Sequence, residues 1–179
     1  LAALRQAPAD ARVLCTSGAL AGASAMFYEL DRAWLAEHGR TDAERSQMTL
    51  EDLTAQGIRL LADDPDGFFF MIEAGKIDWA CHANDAAAAI HDTLALDRAV
   101  RQALAFQQAH PEDTLILVTA DHETGGMTLG FAGTGYGSDV AALAGQRVSF
   151  DLFRGRMLAG YLTAYEKAHP GRRAAWDDA

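Results

Sequence analysis

The sequence predicts an α/β domain, a mostly parallel sheet sandwiched by helices. Three observations carry that expectation. Two short apolar runs, residues 68–72 (F-F-F-M-I) and 114–119 (T-L-I-L-V-T), have the length and composition of buried strands. A long helical stretch over 83–109 lies between them, so the order is strand, helix, strand, as in a right-handed βαβ unit. Each run also ends in a cluster of acidic and histidine residues, and open α/β sheets hold their ligands at the carboxyl ends of strands.

Composition bounds the rest. The 179 residues, half of them hydrophobic and 22% charged, fit one domain with a real core. No composition shift cuts a second domain, and residues 132–179 read as an insertion or a peripheral helical part. A net charge of −10 argues against a nucleic-acid partner, which wants a basic face. No apolar run approaches the length of a membrane span. Leu1 opens without a charged start or an apolar signal core, and without Met, so a mature or shortened chain is expected. Cys15 and Cys81 are too few for a disulfide scaffold.

In chain order, residues 1–9 read as the end of a helix closed by Pro8, 12–16 as a short strand, and 17–24 as a small-residue loop. Residues 28–38 read as a polar connection, with a short helix as the alternative, and 39–47 as a charged loop. Thr49-Leu50-Glu51-Asp52 is a capping box, opening a helix to about Ala62 whose Gly57 faces a close neighbour. Asp63-Asp64-Pro65 stops it, and Asp66-Gly67 turns into the first apolar run. The stripe of the long helix is expected to be Ile90, Leu94, Val100 and Leu104, with His110-Pro111 at its end. A further strand is read near 127–131, and a glycine-spaced turn at 133–137. Ser149 should cap a last helix with Phe150, Phe153, Met157, Tyr161 and Tyr165 on one face, ended by His169-Pro170-Gly171.

The chemistry gathers behind the two runs. Glu73 follows the first, inside E-A-G-K-I-D-W-A-C-H. Asp78 and His82 are four apart, so a helix starting near Asp78 puts both on one face, one turn apart. Asp121 and His122 follow the second run. Three carboxylates and two imidazoles form a donor set suited to zinc, with magnesium at the carboxylates. The competing structural reading is helix caps and satisfied polar groups, and the joint pattern outweighs it. Lys76 reads as a solvated surface charge, Trp79 as a pocket wall, Cys81 as a small buried thiol, and Glu123 and Thr124 as residues that orient ligands.

The two motifs I-E-x-x-x-I-D-x-x-x-H and T-A-D-H-E-T-G-G, in this order and at about this separation, resemble the second half of an alkaline phosphatase. Tyr28-Glu29-Leu30-Asp31-Arg32 and Met48-Thr49-Leu50 resemble segments just upstream in that family, and the likeness spans roughly 12–130. The resemblance implies part of a three-layer α/β fold and hydrolysis of small-molecule phosphate monoesters through a phosphoserine. Two zinc ions about 4 Å apart would clamp the in-line displacement. It places Asp78 and His82 on one zinc, Asp121 and His122 on the other, and Glu73 at a magnesium. It also implies a periplasmic or extracellular setting, and it leaves a homodimer open.

The sequence departs from the family pattern as well. It has no Asp-Ser nucleophile motif, no visible phosphate-clamping Arg, and no final zinc histidine in a Gly-x-His-Thr context. No catalytic residue is therefore assigned, both zinc sites are incomplete, and the chain alone is expected to be inactive. Trp79 stands where well-known relatives carry Lys or His, which puts phosphate affinity in question. Two alternatives remain open: a non-enzymatic remnant that binds metal or a partner, and a sulfatase-like or phosphopentomutase-like relative.

Overall fold

A computed structural model describes residues 26–128, 130, 133, 135 and 137–173. The features expected at 1–9, 12–16 and 17–24 lie outside the described residues. The elements are α1 (Glu29–His38), α2 (Asp42–Arg45), α3 (Leu50–Leu61), α4 (Lys76–His82) and α5 (Ala86–Ala109). A 3-10 helix, Val140–Gly145, follows. The last rod is α6 (Phe150–Leu152), a π-helical stretch (Phe153–Leu158) and α7 (Ala159–Ala168).

The described residues are helical, with no strand and no sheet, and this overturns the α/β expectation together with its βαβ unit. Residues 68–72 and 114–119 lack any ladder. Their composition is right for strands, but a strand exists only when a neighbour takes up its backbone N–H and C=O groups. Side chains alternate nonetheless. Phe68 meets Phe106 at 5.7 Å between ring centroids, and Phe70 turns onto α3. Phe69, by contrast, is 90% exposed. A Cβ on Gly57 would sit 2.3 Å from the Phe70 ring, so the close approach expected at Gly57 is real. Leu115 and Leu117 also face outward. Thr128 and Gly130, in the strand expected near 127–131, are in irregular structure.

The helix ends follow their local sequence. Thr49 and Asp52 form both halves of the capping box, as expected. Thr41 caps α2 in a region read as loop. The long helix starts at Ala86, three residues later than expected, because Asn84 adopts φ 52° and Asp85 caps Ala88 at 3.1 Å. Helices α1, α5 and α7 each finish with an aromatic ring stacked on a histidine four residues on: Trp34–His38, Phe106–His110 and Tyr165–His169, all at 4.4 Å. The histidine rings thereby cover the last turns, and His38 and His169 also bond a carbonyl of that turn.

The buried face of α5 is also not the expected one. Leu94 and Leu104 are exposed, while Ala87, Ala88, Ala89, Asp92, Ala95 and Ala99 are buried. Ala88, Asp92, Ala95 and Ala99 follow steps of four and three, a helical stripe of small side chains. Small residues let α1, α3 and α4 approach α5 closely. The aromatic face expected on the last rod is likewise exposed at Phe150, Phe153 and Tyr161, and the π-helical stretch breaks its register.

Large apolar side chains do not fill the interior. The largest fully buried ones are Leu35, Thr54, Asp31 and Ser149. Three buried carboxylates join the helices by capping N-termini. Asp31 of α1 accepts bonds from Ser149 N and Ser149 Oγ, both at 2.6 Å. Asp85 accepts from Phe150 N at 2.6 Å and from Gln146 Nε2 at 2.7 Å. Asp92 of α5 accepts from Glu29 N at 3.2 Å. Burial pushes the Asp31 carboxyl up against its two Ser149 bonds, and pushes Asp92 up to about 6.

Three outcomes follow for stability. Asp31→Ala strands two buried donors and should lower the unfolding free energy by about 3 kcal/mol in urea titrations followed by circular dichroism. Asp97→Ala, which loses only an exposed pair with Arg101, should cost about 0.5 kcal/mol or less. Asp92 has a folded pKa of about 6 against an ordinary 3.8, so its protonated form favours folding. That contribution is full below about 3.8 and is lost as pH rises through 6. Asp92→Asn is always neutral, so its stability relative to the parent should be higher at pH 7 than at pH 4.

Candidate metal centre

Helix α4 carries the first ligand pair. Asp78 lies in its first turn, where the helix dipole favours a carboxylate, and His82 lies in its last. Asp78 Oδ2 and His82 Nε2 are 3.6 Å apart. The second pair lies in irregular chain after 114–119, with Asp121 Oδ2 3.3 Å from His122 Nε2.

Thr124 joins the two pairs. Its hydroxyl donates to Asp78 Oδ1 at 2.7 Å, across 46 residues of sequence. His122 Nδ1 lies 3.0 Å from the Glu123 carbonyl oxygen and 3.1 Å from Thr124 Oγ1. A carbonyl can only accept, so we assign the proton to Nδ1, which leaves Nε2 free toward Asp121. The Glu123 carbonyl, and then the Asp121 carboxylate, push the His122 pKa up. The chain runs His82, Asp78, Thr124, His122, Asp121, so Thr124 links two separate pairs of the expected ligands.

The fifth stays apart. Glu73 is exposed and makes no hydrogen bond or ion pair among the described residues. Among those residues no three His, Cys, Asp or Glu side chains converge. Tetrahedral zinc bound at about 2.0–2.1 Å sets neighbouring donors about 3.3 Å apart, close to both separations. Cys81 lies between Asp78 and His82 on α4, and burial, then Asp78 and Glu123, push its thiol up.

A glycine clamps the second motif to the first. Gly125 has φ 84°, and a Cβ there would lie 2.3 Å from the Cys81 carbonyl oxygen. Beside this contact is a cavity of about 380 Å³ lined by Cys81, Asn84, Thr124, Gly125 and Met127. Trp79 does not line it. The reading of Lys76 as a solvated charge is also corrected: its ammonium lies 4.0 Å from the Tyr28 ring centroid and 4.1 Å from that of Trp79. Sequence reasoning missed this because Tyr28 is 48 residues away.

The family model for alkaline phosphatase matches residues 22–167. The chain belongs to the alkaline phosphatase family. Alkaline phosphatase 4 of Bacillus subtilis is 37% identical over 92 residues, 51% of this chain and 20% of that protein. The tissue-nonspecific alkaline phosphatase of Gallus gallus is 43% identical over 97 residues, 54% of this chain and 16% of its own length. Alkaline phosphatase H of Pseudomonas aeruginosa is 47% identical over 74 residues, 41% and 15% of the two chains. The chain therefore spans about a fifth or less of the length of the curated relatives it matches. No helix among the described residues is long and apolar enough to cross a membrane.

The Gly125 contact makes the link between the motifs testable. Gly125→Ala combines an unfavourable φ with a clash against backbone and should cost about 2 kcal/mol in thermal unfolding. Gly126→Ala, with a similar φ of 68° but open space around it, should cost less.

Proposed function

We propose that this chain carries one part of the metal-binding apparatus of a phosphate-monoester hydrolase. The observation that carries the reading is the Thr124 bridge, which fixes Asp78 and His122 in one hydrogen-bonded chain. Family membership supports a phosphatase-type hydrolase. Asp78 and His82 would hold one zinc, and Asp121 and His122 a second. Bound zinc would polarise a phosphoryl oxygen and stabilise charge on the attacking and leaving oxygens.

The chain's own residues supply orientation. Thr124 takes up Asp78 Oδ1 and so leaves Oδ2 turned toward His82. It also helps hold His122 Nδ1, which leaves Nε2 toward Asp121. Such partners of ligating side chains set ring orientation and ligand basicity. The magnesium assignment to Glu73 rests on the resemblance alone. Site of action outside the cytoplasm and assembly as a homodimer belong to the same proposal. None of the 179 residues forms an Asp-Ser nucleophile pair, so the chain alone should bind zinc without turning over phosphate esters.

Zinc titration by calorimetry tests this, with a His82→Ala, His122→Ala double variant as control. Stoichiometric binding to the parent, lost in the double variant, is expected, together with no release of nitrophenol from p-nitrophenyl phosphate. Equal binding by parent and variant would move the metal elsewhere. Metal-dependent turnover by this chain would show that it holds a nucleophile of another kind.

A further inference from the structure

Helix α4 carries two of the proposed ligands, yet it has little of its own to hold it. It has seven residues, and Gly75 gives it no side-chain cap. A helix this short does not persist without tertiary contacts. Ala80 supplies one contact, packing with Tyr28, Ala88 and Ala89. Asp78 takes the Thr124 hydroxyl and the Cys81 carbonyl lies against Gly125, and Lys76, the first residue of α4, supplies a further contact.

The Lys76 ammonium lies between two rings. Trp79, three residues on, belongs to α4 itself. Tyr28 precedes α1, is 3% exposed, and donates its hydroxyl to Asp151 Oδ2 at 3.0 Å. The Tyr28 ring is thus fixed by burial and by its hydroxyl, and a cation over such a face is held in place. Burial pushes the Lys76 pKa down, and Asp151 of α6, Asp92 of α5 and Asp31 of α1 act against that shift. One acid comes from each of the helices that the buried carboxylates join.

We propose that Lys76 is a positioning residue: it anchors α4, and so Asp78 and His82, to the buried Tyr28 ring at the start of α1. This rests on the metal reading above only for its consequence, since the anchoring can be read without metal. A lysine that merely neutralised buried acid would affect every helix those acids cap. An anchor for α4 acts first on α4.

The test uses the 179-residue chain, with Trp34 and Trp176 replaced by Phe so that Trp79 is the sole indole. Lys76→Met keeps the stem and removes the charge. Lys76→Arg keeps a cation that stacks on rings. Amide exchange without metal should be at least tenfold faster over 79–82 in Lys76→Met, unchanged over α1, whose N-terminus Asp92 caps, and restored in Lys76→Arg. Trp79 emission should change in the Met variant and return in the Arg variant. Zinc affinity should fall about tenfold in the Met variant, the scale seen when the partners of metal ligands are lost.

Parent-like exchange over 79–82 in Lys76→Met overturns the proposal, as does faster exchange spread equally over α1. Should Lys76→Met fail to fold, Tyr28→Phe decides. It frees the ring from Asp151 while keeping its face, and it should speed exchange in α4 before α3. A parent chain that binds no zinc sinks the metal reading, while exchange and emission still decide the role of Lys76.

Discussion

The described structure depends on buried carboxylates that cap helices other than their own. Asp31 takes the N-terminus of the last rod through Ser149, Asp92 takes that of α1 through Glu29, and Asp85 takes both α5 and the last rod. The first backbone N–H groups of a helix have no partner within it, and the dipole favours a negative charge there. One carboxylate therefore meets two needs, closing a helix end and fixing where that end sits. The burden falls on these bonds because the packed face of α5 is mostly alanine, which buries little apolar area per residue. The cost is desolvation, seen in the raised pKa values of Asp31 and Asp92.

The helical half of the fold was legible in the sequence and the extended half was not. Caps carry their own grammar: Thr49 with Asp52, Ser149 before Phe150, and His110 before Pro111 mark ends that the structure keeps. An apolar run carries no such mark. Residues 68–72 and 114–119 have the composition of buried strands, yet Phe69 and Leu115 point outward and no ladder forms. Composition reports what a segment would bury, whereas a sheet also requires a partner for each backbone group. The stripe of α5 misled for a related reason. Leucines marked the apolar residues, but close helix approach selects alanines.

Within the candidate site, spacing was the reliable signal. Four residues on a helix bring Asp78 to His82, and adjacency brings Asp121 to His122. What spacing cannot give is which oxygen or nitrogen of each ligand remains available. That is set by Thr124, which takes one Asp78 oxygen and one His122 nitrogen. Thr124 could be named from sequence as an orienting residue, because hydroxyls near ligands often serve so. Its reach across to α4 depends on Gly125, where only a residue without Cβ lets the loop lie on the Cys81 carbonyl.

Lys76 shows why a charge is hard to read from sequence alone. Beside Gly75 and ahead of an acid it looks like one more solvated cation. Its environment is set instead by Tyr28, which burial and Asp151 hold against α4. A lysine has a four-carbon stem that packs like an apolar chain, and its head is satisfied by rings and acids as well as by water. The same contact that hides the charge ties α4 to the Tyr28 ring that Asp151 holds. Fold and site are then not separable in this chain: the bonds that place α1, α5 and the last rod also set the surroundings of the Lys76 ammonium, and through it the start of the helix that carries Asp78 and His82.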